Sequence, residues 1–170
     1  MTRSRLFASV VLTALAFALP ATAQASGPER SHSSFTYTLA DALADYRAFG
    51  DNDGDCGGFV LLVSYHVERA VSTWPDRQVR HVHYTGHVYS SADTSRSLIR
   101  SGDFKITFWL APDGAVSGVT RTGVFDYIVI DGHRVNTHVG RDVIDFATGS
   151  STATPRAGAG VRAAVCDALR

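Results

Sequence analysis

The chain has 170 residues, with 16 basic and 16 acidic side chains and a formal net charge of zero. The two signs are interspersed, which argues against nucleic acid as a partner, since that binding rests on a basic patch. Length and composition suit one domain able to bury roughly two thirds of its unfolded surface.

Arg3 and Arg5 give a short positive start, Leu6 to Leu19 run mostly apolar without a charge, and Pro20 breaks the run. Ala21-Thr22-Ala23-Gln24-Ala25 then offers two overlapping small-x-small cleavage sites, after Ala23 or after Ala25. The pattern predicts a signal peptide over residues 1–25 and a secreted, extracellular protein with no membrane span after cleavage. The alternative is a membrane anchor, which usually needs about 20 apolar residues; this run is shorter. Lys105 is the only lysine, a bias that coding in a GC-rich bacterial genome explains more simply than phosphate recognition.

Residues 26–34 are small and polar and contain Pro28, so they read as a flexible lead-in. Phe35 and Tyr37 alternate with polar residues as in a strand. Leu39, Leu43 and Tyr46 then fall at helical spacing behind Thr38, a possible N-cap, which predicts a short helix over Leu39–Phe49. After Asp51–Asp55 the pattern turns to strands. Phe59 to Val67 is dense enough for a central strand, and Val79 to Tyr89 alternates with Val82, Tyr84, Gly86 and Val88 on one face. Leu98 and Ile99 begin a weaker strand past Gly102, followed by Phe104, Ile106, Phe108 and Leu110 on one face with Lys105 and Thr107 opposite.

Pro112-Asp113-Gly114 is a turn, and Val116 to Ile130 is the next strand or pair of strands. Asp131-Gly132 is a hairpin signal, because both residues tolerate positive φ. Val135 to Phe146 completes that hairpin, and residues 150–160 read as a loop. Val161, Val165 and Leu169 suggest a terminal helix. The expected fold is all-β: one domain over residues 35–170, a small antiparallel β-barrel of lipocalin-like or similar kind, closed to cover its edges, with a sandwich as the alternative.

Cys56 and Cys166 are the only cysteines. In an oxidising compartment two cysteines leave one intramolecular bridge, here closing a loop of about 110 residues worth about 4–5 kcal/mol in the chain-entropy account. Two free or metal-binding thiols are the alternative.

Several short segments carry a resemblance. They are Cys56-Gly57-Gly58-Phe59-Val60, Thr85-Gly86-His87, Phe104-Lys105-Ile106-Thr107-Phe108, Asp113-Gly114, Gly140-Arg141-Asp142-Val143-Ile144-Asp145 and Val165-Cys166-Asp167-Ala168-Leu169. With the signal peptide, this order resembles a large group of uncharacterised secreted proteins of actinobacteria, similar in outline to small antiparallel barrels. The resemblance implies secretion, a barrel-like fold and the cysteine pairing; it implies no particular activity. The helical Leu39–Phe49 segment departs from the group's outline.

Candidate chemistry is sparse. On a strand, His81, His83, Thr85 and His87 share one face, so His81 and His83 form a weak candidate zinc pair, with His66, His133 or His138 as third ligand. His87 lies about 13 Å from His83 at roughly 3.3 Å per residue, too far to share an ion without a bulge at Gly86. A polar strand face explains the same residues. Asp51-Asn52-Asp53-Gly54-Asp55 opens like a calcium loop, but Cys56 stands where such a loop wants Gly and Leu62 where it wants Glu. A turn explains it equally well.

No Gly-x-Ser-x-Gly elbow, phosphate-binding loop or dinucleotide fingerprint occurs. Asp103, Asp126 and Asp145 lie in or beside strands. Asp126, with Val124, Ile128 and Ile130 on its own face, is the candidate for a perturbed acid meeting Arg121 or Arg141; an edge or bulge position is the structural alternative. Tyr65, Tyr84, Trp109, Phe125 and Tyr127, with Asp126, are the candidate lining of a ligand cavity, core packing being the alternative. The leading functional expectation is a secreted, non-enzymatic protein binding a small apolar or amphipathic molecule. The alternatives are a barrel-cavity enzyme, metal-assisted through His81 and His83, and a surface protein that acts through its outside and holds no ligand.

Overall fold

The computed structural model describes residues 27–154 and 159–170. The segment read as a signal peptide lies outside these residues. The chain runs β1 (Glu29–Tyr37), α1 (Leu39–Phe49), β2 (Gly54–Asp55), β3 (Val60–Trp74), β4 (Arg77–Ser90), β5 (Ser97–Leu110), β6 (Val116–Ile130), β7 (His133–Asp145), β8 (Ser150–Thr152) and α2 (Ala159–Leu169). All eight strands belong to one antiparallel sheet in the order β1-β3-β4-β5-β6-β7-β8, with β2 also paired to β3.

The all-β expectation holds, but the barrel does not close. β1 and β8 are the two edges and do not pair with each other. β8 has three residues and bonds Val143–Asp145 of β7, so among the described residues most of β7 has no strand outside it. Closure would require pairing along the length of the edge strands. Short and polar edges instead discourage further pairing: β1 reads Glu-Arg-Ser-His-Ser-Ser before its first aromatic residue. Residues 29–34, read from composition as a flexible lead-in, are part of that strand and pair with Glu68–Thr73. Their exposure along the edge explains why they carry no apolar alternation.

α1 has the boundaries its spacing predicts. Thr38 Oγ1 accepts from the Asp41 N–H at 3.2 Å while the Asp41 carboxylate accepts from the Thr38 N–H at 2.7 Å, a reciprocal cap. Tyr37 anchors the helix to the sheet: its ring stacks on Tyr65 at 5.2 Å and its hydroxyl donates to Asp45 at 2.5 Å. That hydrogen bond pushes the Tyr37 phenol up to about 12. The β6–β7 hairpin turns on Asp131 and Gly132, with φ of 51° and 75°, both in the left-handed region a two-residue turn of this hand requires.

The apolar core lies at one end of the sheet, on the face we call inner. There Val165 and Leu169 of α2 pack on Leu61, Val88 and Ile128, and the Cys56–Cys166 disulfide is buried among them. The bridge spans 110 residues with a Cα–Cα separation of 5.5 Å. Among the described residues no helix is long and apolar enough to cross a membrane.

Candidate functional site

The inner face carries a knot of polar side chains drawn from four strands. Tyr84 on β4 donates to Asp126 Oδ1 at 2.5 Å, and Arg100 Nε on β5 donates to the same oxygen at 2.9 Å. Thr137 on β7 donates to the other Asp126 oxygen. Arg100 Nη1 also reaches Asp53, between α1 and β2, at 2.8 Å.

Two bulges make this convergence possible. The β5–β6 and β6–β7 registers slip around Phe125 and Asp126, and β7 takes up an extra residue at Thr137. Phe125 and Asp126 are therefore both turned inward, as are Thr137 and His138, where simple alternation would send one of each pair to the far face. Phe125 contacts Phe104 at 5.5 Å between ring centres and His138 at 4.5 Å.

Burial shapes the ionisation of the knot. It pushes the Tyr84 phenol well above its ordinary range, reinforced by the hydrogen bond to Asp126. Burial alone would weaken the Arg100 cation, but the Asp53 and Asp126 carboxylates outweigh it and hold Arg100 firmly charged. Asp53 is raised, because burial exceeds the pull of Arg100. A second ion pair lies alongside. Asp142, only 2% exposed, accepts from Arg121 and from the Thr154 N–H. Burial pushes this carboxyl up, yet the Thr154 N–H and Arg121 outweigh it and hold it below the usual range. His138 Nε2 is buried 3.5 Å from Asp142 without a hydrogen-bond partner.

The six candidate lining residues do not surround one cavity. Tyr65, Tyr84, Phe125 and Asp126 are on the inner face. Trp109 is on the outer face, in register with Arg77 and Gly118, and so is Tyr127, which pairs with Ser101 and Asn136. The expected partners of Asp126 are also corrected: Arg100 fills that role, while Arg121 goes to Asp142. Val124 faces away from Asp126, since the bulge at Phe125 interrupts the alternation. The structural alternative of a bulge position for Asp126 is the one observed. Arg100 was hidden because it sits in the first, weakly apolar part of β5 and makes its contacts beside bulges that a period of two does not reveal.

His81, His83, Thr85 and His87 share the outer face and are exposed. Across them run the rows Ala70–His81–Lys105–Thr122–Arg141 and Glu68–His83–Asp103. His83 Nδ1 is 3.5 Å from Asp103. The β3–β4 and β4–β5 registers run unbroken through Gly86, so His87 is not brought back to His83. Among the described residues no three His, Cys, Asp or Glu side chains converge to hold a metal ion, so the His81–His83 pair gains no third ligand. The Asp51–Asp55 carboxylates are spent separately, Asp53 on Arg100 and Asp55 on the Gly57 N–H, while Asn52 caps Gly54.

Open grooves mark the outer face. One of about 620 Å³ is lined by His32, Glu68, His81, His83 and Asp103. Another of about 520 Å³ lies toward the end remote from α2, among Trp74, Arg77, Lys105, Trp109 and Arg141. Comparison of the chain with protein-family models, with curated proteins and with solved structures finds no match.

Proposed function

We propose that this chain is an exported binding protein that takes its ligand on the open outer face of its sheet. The observation that carries the reading is the contrast between the two faces. Inner polar groups are committed to one another: Asp126 receives three side-chain donors, and Arg100 bridges two carboxylates. Outer groups stand in exposed rows along grooves with imidazoles, carboxylates, hydroxyls and indoles presented to solvent.

The signal-like start, the disulfide and the resemblance to secreted actinobacterial proteins support an extracellular address. The split of the aromatic candidates between faces favours an open surface over an apolar barrel pocket. Asp126, whose two oxygens already accept from Tyr84, Arg100 and Thr137, is disfavoured as the acid or base of an enzyme.

Histidine modification tests this. The mature chain is treated with diethylpyrocarbonate with and without the cell envelope of its own host, and each histidine is read by peptide mass spectrometry. His81 and His83 should be shielded by the bound envelope component, while His133, exposed at the β6–β7 hairpin, stays reactive. Unchanged reactivity at His81 and His83, or equal shielding of every histidine, would overturn the reading.

A further inference from the structure

At the end of the sheet remote from α2, the outer face carries a row made by Trp74, Arg77 and Trp109, which are direct cross-strand neighbours on β3, β4 and β5. The two indoles are two strand spacings apart, about 10 Å at the usual spacing. Arg77 stacks on the Trp74 ring at 4.7 Å, with Asp76 at 3.0 Å from its guanidinium. Trp109 is the open member. It is 44% exposed, and its Nε1 is held 3.3 Å from Thr120 Oγ1. Its neighbour across the strand is Gly118, which places no side chain against the ring. A large aromatic residue held by a hydrogen bond, uncovered on a sheet face, contributes nothing to the core.

Four residues along β5 from Trp109 lies Lys105, in a row with Thr122 and Arg141. That places two cations about 13 Å from the indole along the strand rise. Among the described residues neither Lys105 nor Arg141 pairs with a carboxylate. Thr107, Thr120 and Thr122 line the same groove of about 520 Å³; Thr107 is buried, Thr120 Oγ1 accepts from Trp109, and Thr122 stands beside Lys105.

We infer that this surface binds an acidic polysaccharide, a chain of sugar rings bearing carboxylates; the inference rests on the open-face reading above. The Trp109 indole accepts the flat C–H face of a pyranose ring, the Thr122 hydroxyl exchanges hydrogen bonds with sugar hydroxyls, and Lys105 and Arg141 meet the carboxylates. A single-stranded nucleic acid also stacks on aromatic rings, but its phosphate backbone needs a basic groove. Here Lys105 and Arg141, without a carboxylate partner among the described residues, share one row about 13 Å along the strand from the open indole instead of following a backbone past it.

The chain contains two tryptophans, Trp74 and Trp109, so intrinsic tryptophan fluorescence reports on this row and nothing else. The mature protein is titrated with hexameric oligouronate from alginate, with neutral cellohexaose and with a deoxythymidine oligonucleotide. The expected result is a saturable spectral change with the oligouronate, at an affinity about tenfold or more above the neutral hexamer. Trp109→Ala, followed by calorimetry with a circular dichroism check of folding, should weaken oligouronate binding by about tenfold. Lys105→Gln with Arg141→Gln should erase the preference over cellohexaose.

No response to the oligouronate overturns the inference, and so does binding that Trp109→Ala leaves intact or tighter binding of the oligonucleotide. Shielding of His81 and His83 by envelope, with no oligouronate binding, would sink this ligand class alone. Oligouronate binding that Trp109→Ala abolishes, without any such shielding, would place the ligand at the tryptophan end of the outer face and remove the histidine groove from the broader proposal.

Discussion

Tyr84 and Gly102 are direct cross-strand neighbours on β4 and β5, and the tyrosine ring occupies the space a side chain at position 102 would need. A Cβ on Gly102 would lie 2.4 Å from Tyr84 Cε1 and 2.5 Å from the Phe125 carbonyl oxygen. The glycine thus lets the tyrosine cross β5 and reach Asp126 on β6. It serves as a passage rather than a hinge, and the bulge at Phe125 closes over it.

Gly102→Ala is therefore expected to destabilise the fold by about 1–3 kcal/mol, the usual cost of overpacking a closed site. The backbone carbonyl on one side cannot move as a flexible side chain would. Urea denaturation checks this. Tyr84→Phe, which keeps the ring and loses only the hydroxyl, should cost less than Gly102→Ala. A Gly102→Ala variant as stable as the parent would show that the Tyr84 path is not fixed by this contact.

Arg100 holds two carboxylates at once through different nitrogens, Nε to Asp126 and Nη1 to Asp53. A planar fork presents separate, fixed donors to the two carboxylates, whereas an ammonium must reach both from one nitrogen. Arg100→Met should cost about 3 kcal/mol, the low end for breaking a buried pair because Asp53 is partly exposed. Arg100→Lys should recover less than half of that loss in the same denaturation assay. Full rescue by lysine would mean that charge alone, without the fork, supports the knot.

Much of this architecture is legible from residue order. The helix at Leu39–Phe49, the alternation of β4, the Asp131–Gly132 turn and the terminal helix all follow from local periodicity and turn chemistry, and the disulfide from the even cysteine count. What local reasoning misses is set by nonlocal geometry. Bulges that put Phe125 beside Asp126 leave no apolar signature, because both residues are plausible on either face. The open edge follows from β8 being three residues long, which composition does not reveal. Nor does an arginine show its use from sequence: Arg80 on Phe108, Arg121 on Phe125 and Arg134 on Tyr127 all lie within stacking distance, a planar cation serving as packing material.

Asp142 should make the fold acid-sensitive. Its carboxyl is held below the ordinary value of 3.8 by the Thr154 N–H and Arg121 against the opposing effect of burial, with His138 also facing it. The folded state then binds this proton more weakly than the unfolded chain. The stabilisation is complete above the unfolded value and is lost as pH falls from about 4 through the lowered folded value. Asp53, raised by burial, works in the opposite direction, but it is common to parent and variant. Asp142→Asn should be less stable than the parent at pH 6, with the gap narrowing as pH drops from about 4 to 3. Denaturant midpoints at these pH values check it; a constant gap would assign the loss to packing instead of charge.

The segment after β8 reads as loop, yet among the described residues Thr154 ties it to β7. Thr154 Oγ1 accepts from the Arg141 N–H at 2.8 Å and donates to the Arg141 carbonyl at 3.0 Å, while its own N–H reaches Asp142 at 3.1 Å. One side chain thus continues the pairing that β8 begins, at a point where no strand residue is available. Gly140 makes the approach possible: with φ of 136°, it has no Cβ to meet Thr154 Oγ1, which would lie only 2.3 Å away. Thr154→Val keeps the shape and removes both hydroxyl bonds. Water can replace them at this exposed edge, so the global cost should be only about 1 kcal/mol. The effect should be local. Amide exchange of Arg141 and of Ser150–Thr152 should accelerate, while exchange in β4 and β5 stays unchanged, as expected when a peripheral unit opens by itself. Unaltered exchange at Arg141 would mean that β8 holds its place without the threonine; faster exchange throughout the sheet would mean that this edge is part of the global folding unit.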